Sequence, residues 1–101
     1  MIRGTTPTLC FKTPYEADMV ESGYITFTMR GDITLDIPLS DESVSIGDNV
    51  ISLTLTQSQT LSFDSQATTL VQLRLVLADK TAVASNIVNV PVGKVLKDGE
   101  I

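Results

Sequence analysis

The chain has 101 residues, no histidine or tryptophan, one cysteine and a formal net charge of −5. That length fits one domain with a modest core, and the 43% hydrophobic and 19% charged fractions are those of an ordinary globular protein. Acidic balance with scattered rather than clustered Lys and Arg excludes a nucleic-acid binder, which needs a basic face, and disfavours an anionic membrane surface.

From the N-terminus, residues 1–6 read as a flexible arm. Pro7 to Thr13 alternates, with Leu9 and Phe11 on one face and Thr8, Cys10 and Lys12 on the other, the mark of a half-buried strand. Tyr15 to Gly23 reads as an acidic connection, with Ala17, Met19 and Val20 anchoring a short turn.

Tyr24 to Arg30 is a strand with Ile25, Phe27 and Met29 inward. Gly31-Asp32 reads as a type II′ hairpin turn, since Gly accepts positive φ without steric cost. Ile33 to Leu39 returns with Ile33, Leu35, Ile37 and Leu39 on one face. This register sets Phe27 opposite Asp36, apolar against polar, and so leaves a shifted or longer turn open. Pro38 cannot donate to a ladder and marks a sheet edge.

Val44 to Ile46 and Val50 to Leu55 read as two further strands around a Gly47-Asp48-Asn49 turn. Thr56-Gln57-Ser58-Gln59 matches a capping box, which predicts a short helix packed through Leu61 and Phe63. The last third is the most legible part. Leu70 to Ala78 is one long strand, Asp79-Lys80-Thr81 a turn, and Ala82 to Val92 the returning strand stopped by Gly93. The expectation is an all-β domain, an antiparallel sandwich or barrel of about seven strands over 7–93, with one short helix before the last hairpin and a tail over 94–101.

Chemistry is scarce. Without histidine, Ser-His, Cys-His and His-metal arrangements are absent together. Cys10 lies in a strand with nothing to activate it, and no internal disulfide can form. The turn carboxylates Asp32, Asp41, Glu42, Asp48 and Asp64 could in principle ligate calcium, but the ordered spacing of an EF-hand loop is missing. No cofactor, metal site or catalytic residue is expected, and the reading is of a non-enzyme. The N-terminal residues lack the apolar run of a signal peptide, and no run approaches a membrane span. The chain is expected to stay in the cytoplasm or leave by lysis.

Two faces of the closing hairpin are more apolar than one thin core needs. Leu70, Arg74 and Val76 share the side of the first strand away from the core. Ile87 begins an apolar run in the second, and the tail adds Val95 and Leu96. These six are the expected contact residues of an interface, for another protein or a further copy of the chain.

The segments Ile2 to Thr8 (IRGTTPT), Leu9 to Phe11, Leu55 to Gln57 (LTQ) and Ser85 to Ile101 (SNI through VPVGK to LKDGEI) resemble a group of small prophage proteins of gut Firmicutes. The layout of strands, short helix and terminal hairpin is also similar in pattern to the N-terminal Ig-like domain of phage baseplate upper proteins. The resemblance implies an Ig-like sandwich and a phage structural or accessory role, in tail or baseplate. Its partners would be other phage structural proteins or itself, in the host cytoplasm during assembly and then in the virion. The alternative is a carbohydrate- or cell-surface-binding module, for which Tyr15 and Tyr24 are the only tyrosines.

Overall fold

A computed structural model describes residues 1–101. It is an all-β sandwich of two antiparallel sheets. In chain order the elements are β1 (Thr8–Lys12), a 3-10 turn (Ala17–Met19), β2 (Val20–Met29), β3 (Asp32–Pro38), β4 (Val44–Gly47), β5 (Val50–Thr54), α1 (Gln57–Leu61), β6 (Thr69–Leu77), β7 (Ala82–Ala84) and β8 (Val88–Val90). The smaller sheet runs β1-β5-β4; the larger runs β3-β2-β6, with β7 and β8 both paired to the far side of β6.

Alternation decides which side chains meet between the sheets. Ile51 and Leu53 from β5, with Leu55 just beyond it, face Ile25 and Phe27 from β2 and Val71, Leu73 and Leu75 from β6, all buried. Burying each such aliphatic or aromatic side chain stabilises the fold by roughly 1.5–3 kcal/mol. Phe63 closes one end, its ring 5.5 Å from that of Phe27. It is held there by α1, which starts as expected. The Thr56 hydroxyl accepts from Gln59 N–H, and the Gln59 side chain accepts from Thr56 N–H. Such a cap contributes about 1 kcal/mol.

Three expectations about the strands need correction. The first hairpin turns at Arg30-Gly31, not Gly31-Asp32: Met29 pairs with Asp32, and both turn residues have positive φ (52° and 83°). Two successive positive φ angles make this a type I′ turn, whose twist matches the strands. A bulge at Thr34 then sets Phe27 opposite Leu35 and Ile25 opposite Ile37, so apolar meets apolar. The same bulge turns Ile33 to the outside, opposite Thr28. Second, β2 begins at Val20, four residues before the expected strand, because Val20 and Ser22 already pair with Leu77 and Val76.

Third, the last strand is broken. Ser85 occupies the gap between β7 and β8, where its N–H donates to the Leu73 carbonyl and its hydroxyl accepts from Leu73 N–H. The side chain thus does work of a ladder residue, and Asn86-Ile87 bow outward before β8 resumes.

The two ends of the chain are also tied down rather than loose. Ile2 bridges Gly93 in parallel, with Gly93 N–H donating to Met1 and Arg3 N–H to Gly93. The Arg3 guanidinium donates to the Leu61 and Phe63 carbonyls at the end of α1 (2.9 and 2.7 Å) and pairs with Asp98. Thr60 donates to the Thr5 carbonyl, and the Gln57 amide exchanges two hydrogen bonds with the backbone of Ile101. Arm, helix and tail form one clasp across the end of the sandwich.

Gly23 marks the tightest approach in the larger sheet. A Cβ there would run into the Arg74 carbonyl oxygen and stand 3.0 Å from Leu39 Cδ1. Gly23→Ala is therefore expected to cost about 1–3 kcal/mol, read as a lowered urea midpoint with an unchanged slope. An unaltered midpoint would show that β2 and β6 do not approach this closely.

Candidate functional site

The pairing registers lay the outer surface of the larger sheet out in rows. Val76 stands between Ser22 and Ala82. Arg74 stands beside Tyr24 and Ala84, with Pro38 beyond Tyr24. Gln72 lies beside Thr26, then Asp36; Leu70 lies beside Thr28, then Ile33. Arg74 and Asp36 are the only charged groups in these rows, and Asp36 accepts a 2.7 Å hydrogen bond from Thr26. Tyr24, Ile33 and Ile87 are 51, 65 and 62% exposed. Ile87, on the outward bow, shares a hollow of about 90 Å³ with Leu70, Gln72, Thr26 and Thr28.

The smaller sheet supplies an internal comparison. Its outward residues include Thr8, Cys10 and Lys12 from β1, Ser52 and Thr54 from β5, and Ser45 from β4. Thr8 and Thr54 share a hydrogen bond, and Cys10 Sγ lies 3.7 Å from the Ser52 hydroxyl. One side of the sandwich is mainly small hydroxyls, with Cys10, Lys12 and Val50 among them. The other interleaves Thr26, Thr28 and Gln72 with the bulkier Tyr24, Ile33, Leu70 and Val76 around Arg74.

Of the six residues expected at an interface, the structure places Leu70, Arg74 and Val76 on this face and Ile87 at its border. Val95 and Leu96 lie elsewhere. Val95 is half-buried in the clasp, beside Gly4 and Leu61, and Leu96 projects fully into solvent. Tyr24 and Ile33 also belong to the face, Tyr24 on the side that alternation assigns it and Ile33 against expectation. Tyr24 is foreshadowed by the alternation of β2, whereas Ile33 is outward only because of a bulge that no local pattern announces.

A second feature lies at the open flank of the sandwich. A cleft of about 230 Å³ runs between β1 and the larger sheet, lined by Lys12, Thr13, Pro14 and Tyr15 above and by Leu73, Leu75 and Val83 below. Tyr15 is half-buried here.

No three His, Cys, Asp or Glu side chains come together in a metal-binding group. Two of the turn carboxylates, Asp41 and Asp64, are engaged within the protein. Asp41 accepts from the hydroxyl and N–H of Ser43, and Asp64 from Arg30 (2.6 Å) and Gln66 N–H. The buried Thr69 hydroxyl has no partner and lines neither the hollow by Ile87 nor the cleft beside β1. Compared with known proteins, the chain matches no family model, no curated protein and no solved structure.

The acidic turns carry a pH signature. Arg30 and Gln66 N–H hold the Asp64 carboxyl below the usual range, and Ser43 and Thr81 do the same for Asp41 and Asp79. A depressed folded pKa stabilises above the unfolded value of about 3.9 and is lost as pH falls through the folded value. Thermal unfolding should therefore show stability falling below about pH 4, more gently in Asp64→Asn than in the parent. Equal acid slopes for the two would remove Asp64 from the account.

Proposed function

We propose that this chain is a non-enzymatic structural or accessory protein of a phage particle, in tail or baseplate, which acts by docking its sandwich onto other virion proteins. It would be made in the host cytoplasm and carried in the virion. The observation that supports the docking role is the asymmetry of the two outer faces: mainly Ser and Thr over the smaller sheet, Tyr24, Ile33, Leu70 and Val76 around Arg74 over the larger. Apolar burial would drive contact and Arg74 would orient it, since a guanidinium combines a broad apolar surface with directed donors.

The phage assignment rests on the resemblance of the terminal and LTQ segments to small prophage proteins. Those segments are the ones joined in the clasp, through Ile2 and Gly93, Arg3 and Asp98, and Gln57 and Ile101. Shared residues of this kind hold ends together and need no substrate. The carbohydrate-binding alternative is weakened by the placement of its aromatics. Tyr15 packs against the core, which leaves Tyr24 as a single exposed platform.

The test uses phage particles induced from a host carrying the gene, with the double variant Ile33→Glu, Ile87→Glu compared to the parent. Both side chains are mostly exposed, so the variant should melt normally. The expected result is the parent protein in purified particles by mass spectrometry, and the variant reduced at least tenfold. Absence of the parent protein from the particles would overturn the reading.

A further inference from the structure

Edge strands offer unpaired backbone groups to any strand that can reach them, and folded proteins usually blunt them. Here β3 is blunted by Pro38, which has no N–H, and by the bulge at Thr34. β4 spans only Val44–Gly47, and its Val44 N–H already donates to Asp41. The β7–β8 edge is broken at Ser85. β1 has no such break.

The parity of β1 follows from its ends. Leu55 N–H donates to the Pro7 carbonyl and Thr13 N–H to the Asn49 carbonyl. In an antiparallel ladder the residues bonded to one neighbour alternate. Pro7, Leu9, Phe11 and Thr13 therefore turn their backbone groups to β5. Thr8, Cys10 and Lys12 each turn an N–H and a C=O to the open side, and none of these groups has a partner in the protein.

Beside this edge lies the cleft over Leu73, Leu75 and Val83. We propose that β1 and this cleft form a strand-addition site, which takes an extended segment of another protein antiparallel to β1. The backbone of that segment would pair with Thr8, Cys10 and Lys12. Side chains opposite Leu9 and Phe11 would share the inward side of β1 and must be apolar, and the one opposite Phe11, next to Lys12, would stand at the mouth of the cleft. The side chain opposite Lys12 would be a carboxylate, since Lys12 makes no ion pair in the protein and opposite charges on facing residues favour pairing. The chemistry is that of β-augmentation: main-chain bonds give affinity and alternate side chains give selectivity.

The occupant is a bare strand rather than a second copy. Val83 and Ala84 of β7 underlie the open flank of β1. A copy related by a two-fold axis beside β1 would bring its own β7 into the same space, whereas a single strand brings nothing beneath it.

The probe is a synthetic pentapeptide, Glu-Val-Thr-Val-Thr with blocked ends, titrated into the full chain and followed by amide hydrogen exchange in NMR. The expected result is slowed exchange, at least tenfold at saturation, at Thr8, Cys10 and Lys12, with Leu9 and Phe11 little changed because β5 already bonds them. Cys10→Pro should remove this response while leaving the melting temperature within a few degrees, since the lost N–H bonds nothing in the free protein. A peptide with Lys in place of Glu should bind at least threefold more weakly. No change in exchange at millimolar peptide would overturn the proposal. So would protection at β3 or β4 instead, or protection that rises with protein concentration alone, which would mean self-pairing.

Discussion

The pairing of β2 with β6 is the constraint on which everything else rests. It runs from Val20 and Leu77 to Met29 and Thr69, the longest ladder in the molecule. Past a bulge between Val20 and Ser22, one register sets both of its surfaces. Inward, it stacks Ile25 and Phe27 against Leu73 and Val71; outward, it sets Tyr24 beside Arg74 and Thr26 beside Gln72. Because side chains alternate strictly along a strand, a slip of one residue would exchange core and contact face together. Gly23 fixes the close approach at one end of this ladder, where only hydrogen fits against the Arg74 carbonyl.

The smaller sheet follows from that frame. Three strands cannot cover a sheet widened by β7 and β8, so the flank beside β1 stays open over Leu75 and Val83. Tyr15 packs against the core at this flank, and the clasp of arm and tail closes the molecule around α1 through Arg3. The guanidinium is suited to this role. Its fork uses three separate nitrogens to reach the Leu61 and Phe63 carbonyls and Asp98, whereas a lysine would have to serve all three from one nitrogen. The result is a body with tethered ends, one outer face that carries bulky side chains around Arg74, and one open edge.

Much of this was legible in the chain itself. The all-β class, the capping box at Thr56 and the inward set Ile25, Phe27, Leu73 and Leu75 all follow from alternation and local hydrogen bonding. What escaped depends on distant partners. The shift of the first turn to Arg30-Gly31 is decided by pairing Phe27 with Leu35, and the outward flip of Ile33 by the resulting bulge. The break at Ser85 needs Leu73, twelve residues away, to accept and donate in its place. Residues 1–6 look free because Arg3 finds its partners at Leu61, Phe63 and Asp98, beyond any local window. Of the contact face, Leu70, Arg74 and Val76 were visible as excess apolar surface on one strand, whereas Ile33 was not.

Whether the sandwich carries one edge free to pair is read from amide hydrogen exchange of the dilute free chain. Alternation is expected along β1, with Leu9 and Phe11 exchanging slowly and Thr8, Cys10 and Lys12 fast, beside a β2–β6 ladder among the slowest in the protein. Slow exchange at Thr8, Cys10 and Lys12, or no alternation at all, would contradict it.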